Sequence, residues 1–203
     1  TVSAAGGDSA YRCIERAVEL CSDGSIDVMV TAPLNKEALH AAGHHFDGHT
    51  GLLTHPTRAE QPFMLLTPET LPAVHVTPHV SMREATERIT YDRVLATIRA
   101  GAAHLLQMGI EQPRIAVAGL NPHAGEGGAM GYEELEWISP LLDELRGEGF
   151  ELIGPLPSDT MFHPEARARY DAAICAYHDQ ALIPIKTLDC ARGVHVTLGL
   201  PFI

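Results

Sequence analysis

The chain has 203 residues, of which 45% are hydrophobic and 5% are aromatic, so a folded core is expected and an aromatic base-stacking surface is not. Acidic residues outnumber basic ones by 26 to 14 and the net charge is -12, which argues against binding to nucleic acid. No apolar run approaches the roughly 20 residues of a membrane span.

The first half of the chain alternates amphipathic and apolar segments, which is typical of an α/β protein. Apolar residues at steps of three and four predict helices, and short apolar runs predict strands. In chain order we expect a helix that begins at Asp8 or Ser9 and ends at Gly24, a strand over 26–32, a helix over 35–42, a Gly- and His-rich loop over 43–50, and strands over 63–66 and 73–77.

The second half continues the same alternation. Its longest amphipathic segment carries Val94, Ile98 and Leu105 on one face, which predicts a helix. In chain order we expect a helix over 91–108, a strand over 114–120, a helix over 133–146 closed by Gly147, and strands over 150–153, 172–176, 183–186 and 194–198. The four cysteines have no C-x-x-C spacing, so reduced thiols and a cytoplasmic location are expected.

Three predicted strands are each followed by a histidine, namely His79, His123 and His178. Ligands of open α/β sheets gather at the carboxyl ends of strands, so the three imidazoles are expected to meet there. Three histidines with one open position form a catalytic site for zinc or a similar divalent ion. Asp179 is expected to orient an imidazole or accept a proton. The alternative is three hydrogen-bonded surface histidines, and His75 is interpreted as a strand residue.

Two Gly-containing loops suit an anion. Residues 48–51 combine flexible backbone with an imidazole and a hydroxyl, and residues 121–128 form a Gly-rich loop before a helix. Neither has the spacing of a phosphate-binding P-loop or a dinucleotide-binding G-x-G-x-x-G turn. Lys36 and Lys186 are isolated cations beside the ends of predicted strands. Ordinary turns and solvated lysines are the alternative interpretation.

Motifs along the whole chain resemble the 4-hydroxythreonine-4-phosphate dehydrogenase family of pyridoxal phosphate biosynthesis. They occur in the family's order and are long enough to be specific. They are TAPLNK at 31–36, GHT at 48–50, GLNPHAGE at 119–126, GP at 154–155, DT at 159–160, YHDQ at 177–180 and TLGLPFI at 197–203.

The resemblance implies a fold and a set of cofactors. It implies a two-lobed α/β/α fold similar to isocitrate and isopropylmalate dehydrogenases, with no lobe boundary visible in the sequence. It implies NAD, a divalent metal such as Zn, Mg or Co, and a homodimer whose active site lies at the interface. The implied metal ligands are His79, His123 and His178, the same three that follow predicted strands.

The resemblance also implies which residues bind substrate. The family's substrate-binding His-Thr pair falls on His49 and Thr50, and its substrate lysine falls on Lys186. Asp159 is implied as a catalytic partner in proton transfer, together with Lys186. His195 stands where the family has a substrate-binding Asn, which implies altered specificity. The family's first segment and last helices have no counterpart here, so we expect a central fragment.

The function implied is NAD- and metal-dependent oxidation, with decarboxylation, of 4-phosphohydroxy-L-threonine. The segments GHHFDGHT and KEALH are rather more similar to the branch that acts on 4-phospho-D-threonate or 4-phospho-D-erythronate, which is the alternative substrate class. A metal hydrolase or lyase with three histidines, and an inactive binding protein, are the alternatives from other classes. For each of the enzymatic functions, we expect the binding partner of the protein to be a small-molecule substrate, and neither nucleic acid nor a membrane.

Overall fold

The computed structural model describes residues 2–46, 48–57, 59, 61–68 and 71–202. The chain divides into two compact units. The first unit comprises Thr1–Pro62 and Thr197–Ile203, and the second comprises Phe63–Val196. None of the helices within the described residues combines the length and the apolar character that a bilayer crossing requires.

The first unit is helical and packs around a small apolar core. Its helices are α1 (Ala4–Ser22), α2 (Lys36–Ala41) and α3 (His49–Thr57), and the core comprises Ile14, Val18, Leu39, Leu52 and Leu53. Helices α1 and α2 approach closely at Gly7, where a Cβ atom would lie 2.0 Å from the carbonyl oxygen of Ala38. Only glycine fits at this crossing, so the contact depends on that residue.

Three expectations for the first unit are wrong. Helix α1 begins at Ala4 because the Ser3 hydroxyl accepts a hydrogen bond from the Gly6 amide at 3.2 Å, whereas Asp8 pairs with Arg12 inside the helix. The 26–32 segment forms no strand, and Val30 is 91% exposed, because no neighbouring strand in the described chain supplies hydrogen-bond partners. The loop over 43–50, whose Asp47 lies outside the described residues, gives way to helix α3 at His49.

The second unit is an α/β unit around a six-stranded sheet. Its strands are β1 (Phe63–Thr67), β2 (Ala73–Thr77), β3 (Arg114–Ala118), β4 (Glu151–Leu156), β5 (Ala172–Tyr177) and β6 (Val194–Leu198). Its helices are α4 (Met82–Arg88), α5 (Tyr91–Gln107), α6 (Ser139–Gly147), α7 (Pro164–Arg167) and α8 (His178–Asp189).

The strand order is β4-β3-β5-β2-β1-β6. Strand β5 is parallel to both β2 and β3, whereas β1 is antiparallel to β2. Helix α5 covers one face, because a Cβ atom at Gly101 would lie 3.3 Å from Val74 and 3.4 Å from Ile174. Helix α8 packs on the opposite face, in the core that contains Ala173 and Cys175. The α/β class expected from the sequence is therefore confirmed, with helices on both faces.

Two further expectations need correction. Residues 183–186 lie within helix α8 rather than in a strand, because Ala181, Leu182 and Ile185 are buried at helical spacing. The helix expected over 133–146 is interrupted, since it starts with a π-helical turn, Glu134–Ile138, before α6 begins. Helix α4 was not expected, and Ser81 caps it by accepting a hydrogen bond from the Glu84 amide.

Candidate functional site

The three candidate histidines follow the carboxyl ends of three adjacent parallel strands. His79 comes two residues after β2, His178 directly after β5, and His123 five residues after β3. Strand β5 lies between β2 and β3, and Thr77 of β2 pairs in register with Tyr177 of β5. The three strands therefore end side by side at one edge of the sheet, and ligands of parallel sheets bind at this edge.

His79 and His178 come together at this edge. Their ring centres are 5.1 Å apart and the rings are inclined at 47°. Two imidazoles on one tetrahedral ion, with metal–nitrogen bonds of about 2.0–2.1 Å, have ring centres roughly 5 Å apart. Both rings line a cavity of about 550 Å³, together with Tyr177 and Asp179. The pair thus has a spacing that suits two ligands of one cation.

Asp179 fixes the orientation of the His178 ring. Its carboxylate oxygen lies 2.7 Å from Nδ1 of His178. Because a carboxylate accepts hydrogen bonds, Nδ1 carries the proton and Nε2 keeps its lone pair. Histidines that bind metals usually donate their second ring nitrogen to a carboxylate or carbonyl oxygen in this way. The donor set therefore fits a divalent cation at Nε2.

His123 lies apart from the pair. It is exposed on a tight turn, Pro122–Gly128, that follows β3. Within the residues that the structure describes, no group of three or more His, Cys, Asp or Glu side chains is arranged to hold a metal ion. One chain thus brings together two of the three candidate ligands.

His75 lies beneath this pair, in the middle of β2. It is fully buried, and Nδ1 donates a hydrogen bond to the carbonyl oxygen of Met64 at 3.0 Å, while the buried Nε2 has no hydrogen-bond partner among the described residues. Burial lowers the pKa of His75 to about 4, so the ring stays neutral near neutral pH. Its ring centre is 6.4 Å from that of His178. The interpretation of His75 as a strand residue is confirmed.

Two further basic residues belong to the surroundings of the pair. His195 lies on β6 and Lys186 on α8. Desolvation by neighbouring atoms, followed by the charges of His79, Lys186 and His178, lowers the pKa of His195, although the residue as a whole is exposed. The basic groups therefore act on one another, and an anionic ligand would relieve their repulsion.

Asp159 lies on the loop after β4 and is exposed. It lines a second cavity, of about 580 Å³, with Tyr177 and Asp179. Since Tyr177 and Asp179 also line the cavity of the histidine pair, the two cavities share these residues. Asp159 is thus placed beside the pair's cavity rather than in it.

His49 and Thr50 are the first two residues of helix α3 in the first unit. Nε2 of His49 donates a hydrogen bond to the carbonyl oxygen of Ala32 at 3.0 Å, which leaves Nδ1 as an acceptor. A Cβ atom at Gly48 would lie 4.0 Å from Cε of Lys36, so this cation is beside the start of the helix. The first amides of a helix have no partners within the helix, so these amides and the lysine make this position suitable for an anion.

Sequence reasoning missed one residue, Glu134. It follows the Gly-rich loop in the sequence, where a helix was expected, and no pattern distinguishes it from the other surface glutamates. In the structure it is 2% exposed and accepts hydrogen bonds from Asn121. Only the path of the loop shows that this carboxylate is internal.

Comparison with known proteins decides the family. The chain matches the family model for the pyridoxal phosphate biosynthetic protein PdxA over residues 1–203. The chain belongs to the PdxA family. The family resemblance drawn from the sequence motifs is thereby confirmed.

The relatives of this PdxA-family chain carry two substrate names. It is 52% identical to a 4-hydroxythreonine-4-phosphate dehydrogenase of Paracoccus denitrificans, over 98% of this chain and 64% of the relative. It is 43% identical to a D-threonate 4-phosphate dehydrogenase of Pectobacterium atrosepticum, over 100% of this chain and 62% of the relative. The chain thus spans a little under two-thirds of the length of these relatives.

Solved structures give the same family. A crystal structure of 4-hydroxythreonine-4-phosphate dehydrogenase from Klebsiella pneumoniae matches with a TM-score of 0.93 and 44% identity, over 100% of this chain and 61% of that one. A terephthalate 1,2-cis-dihydrodiol dehydrogenase from Burkholderia xenovorans matches with a TM-score of 0.81 and 30% identity, over 98% of this chain and 63% of that one. The PdxA-type fold is therefore shared by dehydrogenases that are named after different substrates.

Proposed function

We propose that this protein is an NAD- and metal-dependent dehydrogenase that oxidises and decarboxylates 4-phosphohydroxy-L-threonine in pyridoxal 5'-phosphate biosynthesis. The observation that carries the proposal is the His79–His178 pair at the sheet edge, with Asp179 orienting one ring. The Paracoccus relative, at 52% identity, bears the corresponding name.

A second candidate substrate is 4-phospho-D-threonate or 4-phospho-D-erythronate. Relatives named D-threonate 4-phosphate dehydrogenase are 43–46% identical to this chain. His195, at the position of a family Asn, favours a difference in substrate choice. The chemistry would be the same for both substrate classes, since each is a phosphorylated hydroxy acid.

The proposed cation ligands are His79, His178 and His123. The spacing of the first two and the fixed Nε2 lone pair of His178 support this assignment. When bound, a divalent cation would lower the pKa of the substrate hydroxyl and polarise the ketone that oxidation produces. Asp179 keeps the His178 ring in the tautomer that leaves Nε2 available.

The proposed substrate contacts come from His49, Thr50, Lys186 and His195. A phosphate or carboxylate would accept hydrogen bonds from the lysine, the hydroxyl and the imidazoles, and these bonds orient the reacting carbon. Asp159 is proposed to take the proton from the substrate hydroxyl. Local positive charge matters here because the net charge of -12 repels anions over the rest of the surface.

We further propose a homodimer, in the cytoplasm, in which association brings His123 to the cation. Within the described part of one chain, His123 does not join the pair. Close to it in the sequence, Met130, Tyr132 and Leu135 are exposed. Three exposed apolar side chains this close together in the sequence favour a protein–protein contact.

The experiment is a turnover assay of the full-length protein with NAD, a divalent cation and each of the three phosphorylated acids. NADH formation, followed by absorbance, is expected with one substrate class and is expected to stop when a chelator is added. Release of product without NADH would instead support a hydrolase or lyase. Binding without turnover of any of the acids would support a binding protein and would overturn the dehydrogenase proposal.

A further inference from the structure

The turn that carries His123 has an unusual backbone. Six consecutive residues, from His123 to Gly128, have positive φ angles of 53°, 51°, 81°, 43°, 64° and 98°. Three of them are His123, Ala124 and Glu126, whose Cβ atoms disfavour this left-handed conformation. Such a backbone persists only where the surroundings hold it, and it occurs preferentially at functional sites.

The carboxylate of Glu134 lies under this turn. Oε1 accepts a hydrogen bond from the Asn121 backbone amide at 2.8 Å, and Oε2 accepts one from Nδ2 of Asn121 at 2.9 Å. Asn121 is the residue immediately before the turn, so both carboxylate oxygens hold its start. The Glu134 residue is 2% exposed, so solvent has little access to these bonds.

The same carboxylate also reaches the middle of the turn. A Cβ atom at Gly125 would lie 2.7 Å from Oε2 of Glu134, and a Cβ atom at Gly119 would lie 3.3 Å from Oε1. The two oxygens therefore fill a space that the backbones of these two glycines leave open. Glu134 is in addition the first residue of the π-helical turn, a distortion that is frequent at functional sites.

We propose that Glu134 is a positioning residue, whose buried carboxylate holds the left-handed turn and thereby fixes the direction in which His123 presents its imidazole to the cation. The proposal rests on the proposed function, because it takes His123 as a metal ligand. The link is direct: φ and ψ of His123 set the direction of its Cα–Cβ bond, and a turn that relaxed to negative φ would turn the ring away.

The test compares Glu134→Gln with a matched control, Glu133→Gln. Glu133 accepts a hydrogen bond from the same Asn121 Nδ2 at 2.7 Å, but its side chain is only half-buried. Zinc affinity of the full-length protein is measured by titration calorimetry. Glu134→Gln is expected to weaken zinc binding about 10- to 100-fold, as for other outer partners of ligating histidines, and Glu133→Gln by less than about threefold.

A thermodynamic cycle with His123→Ala separates positioning from general destabilisation. If Glu134 acts through His123, then Glu134→Gln added to His123→Ala produces no further loss of zinc affinity. Equal losses from Glu134→Gln with and without His123 would overturn the positioning role. Zinc binding by His123→Ala that matches the wild type would overturn the proposed ligand set instead.

A second variant keeps the proposal testable if Glu134→Gln fails to fold. Glu126 is exposed and has a positive φ of 43°, so Glu126→Gly removes part of the strain without removing a buried contact. Combined with Glu134→Gln, it is expected to recover a measurable part of the lost zinc affinity. If Glu126→Gly restores folding but not zinc affinity, the strained turn is not what Glu134 supports, and the proposal is wrong.

Discussion

The two ends of strand β5 are built in opposite ways. At its amino end, Asp171 accepts hydrogen bonds from the Arg114 backbone amide at 2.8 Å and from Nη2 of Arg114 at 2.7 Å. At its carboxyl end, the ring of His178 lies next to the rings of His79 and His75. The amino end thus pairs a carboxylate with a guanidinium, whereas the carboxyl end groups three imidazoles, of which His178 has a carboxylate partner, Asp179.

The pKa values of Asp171 and His75 also differ between the two ends of the strand in their effect on charge. Hydrogen bonds from Arg114 lower the pKa of Asp171, which means that the folded state favours its charge. Burial, followed by the neighbouring imidazoles, lowers the pKa of His75, which means that the folded state opposes its charge. The amino end therefore stabilises the fold while Asp171 is charged, whereas burial of His75 at the carboxyl end lowers stability only below its ordinary pKa of about 6.5, where the unfolded chain takes up a proton that the folded state does not bind.

The largest expected effect is at the carboxyl end. We expect His178→Ala to weaken zinc binding by the full-length protein by more than about 100-fold, since even outer partners of ligating histidines are worth 10- to 100-fold. Stability without metal should change little, because the His178 side chain is 35% exposed and its partner Asp179 is 68% exposed. Calorimetric titration and thermal unfolding measure the two effects, and unchanged zinc affinity would contradict the ligand assignment.

At the amino end of β5 we expect the opposite result, namely a loss of folding stability with little change in zinc affinity. Asp171→Ala removes three hydrogen bonds from Arg114 and leaves a guanidinium without its carboxylate, so we expect a loss of about 2 kcal/mol in the free energy of unfolding. Zinc affinity should stay within about twofold of the wild type. Urea denaturation provides the measurement, and a loss below about 0.5 kcal/mol would show that the pair contributes little.

The pH dependence of this pair has a definite sign. Because the pKa of Asp171 is lower in the folded state than in the unfolded chain, its stabilisation is complete above the unfolded value of about 4. It is lost as the pH falls through the lower folded value. The difference in stability between the wild type and Asp171→Asn should therefore narrow below about pH 4, and a constant difference down to pH 2 would contradict this.

A smaller effect is expected when the orientation of one ring is disturbed. Asp179→Asn allows the side-chain amide to donate to Nδ1, which favours the tautomer with the proton on Nε2. We expect zinc affinity to fall about tenfold, less than for His178→Ala. Titration calorimetry with Asp179→Glu as the control measures this. Equal affinity in Asp179→Asn and the wild type would mean that the carboxylate does not set the tautomer.

The smallest expected effect is a gain in stability. Glu126→Gly relieves a left-handed conformation at an exposed position, and we expect about 1 kcal/mol of stabilisation, partly offset by the greater freedom of glycine in the unfolded chain. Glu136→Gly, in the exposed part of the π-helical turn, is the control and should destabilise. A loss of stability in Glu126→Gly would show that this residue makes contacts that outweigh its strain.

The sheet was largely predictable because most of its strands are apolar runs between turn residues. Residues 73–77, 114–120 and 172–176 were expected as strands and form β2, β3 and β5. Residues 183–186 were misjudged because a short apolar run has no period that separates strand from helix. Residues 26–32 were misjudged because a strand also needs a neighbour, which the local sequence does not reveal.

The site was predictable where it depends on strand ends. The adjacency of His79 and His178 follows from the strand order, and their role as ligands stays a prediction. Glu134 was not predictable, because its importance arises from the φ angles of a turn that it does not belong to. Sequence patterns report burial and periodicity, whereas this contact depends on the exact path of the backbone.

Cys175 lies in β5, between the two ends of the strand. Its side chain is fully buried between the two ends, and burial raises the pKa of the thiol to about 12. Almost no thiolate exists there at neutral pH, whereas Cys13 and Cys190 lie on the surface. Alkylating reagents would thus modify the two surface thiols first, and their reaction with Cys175 would mark the moments when the sheet itself opens.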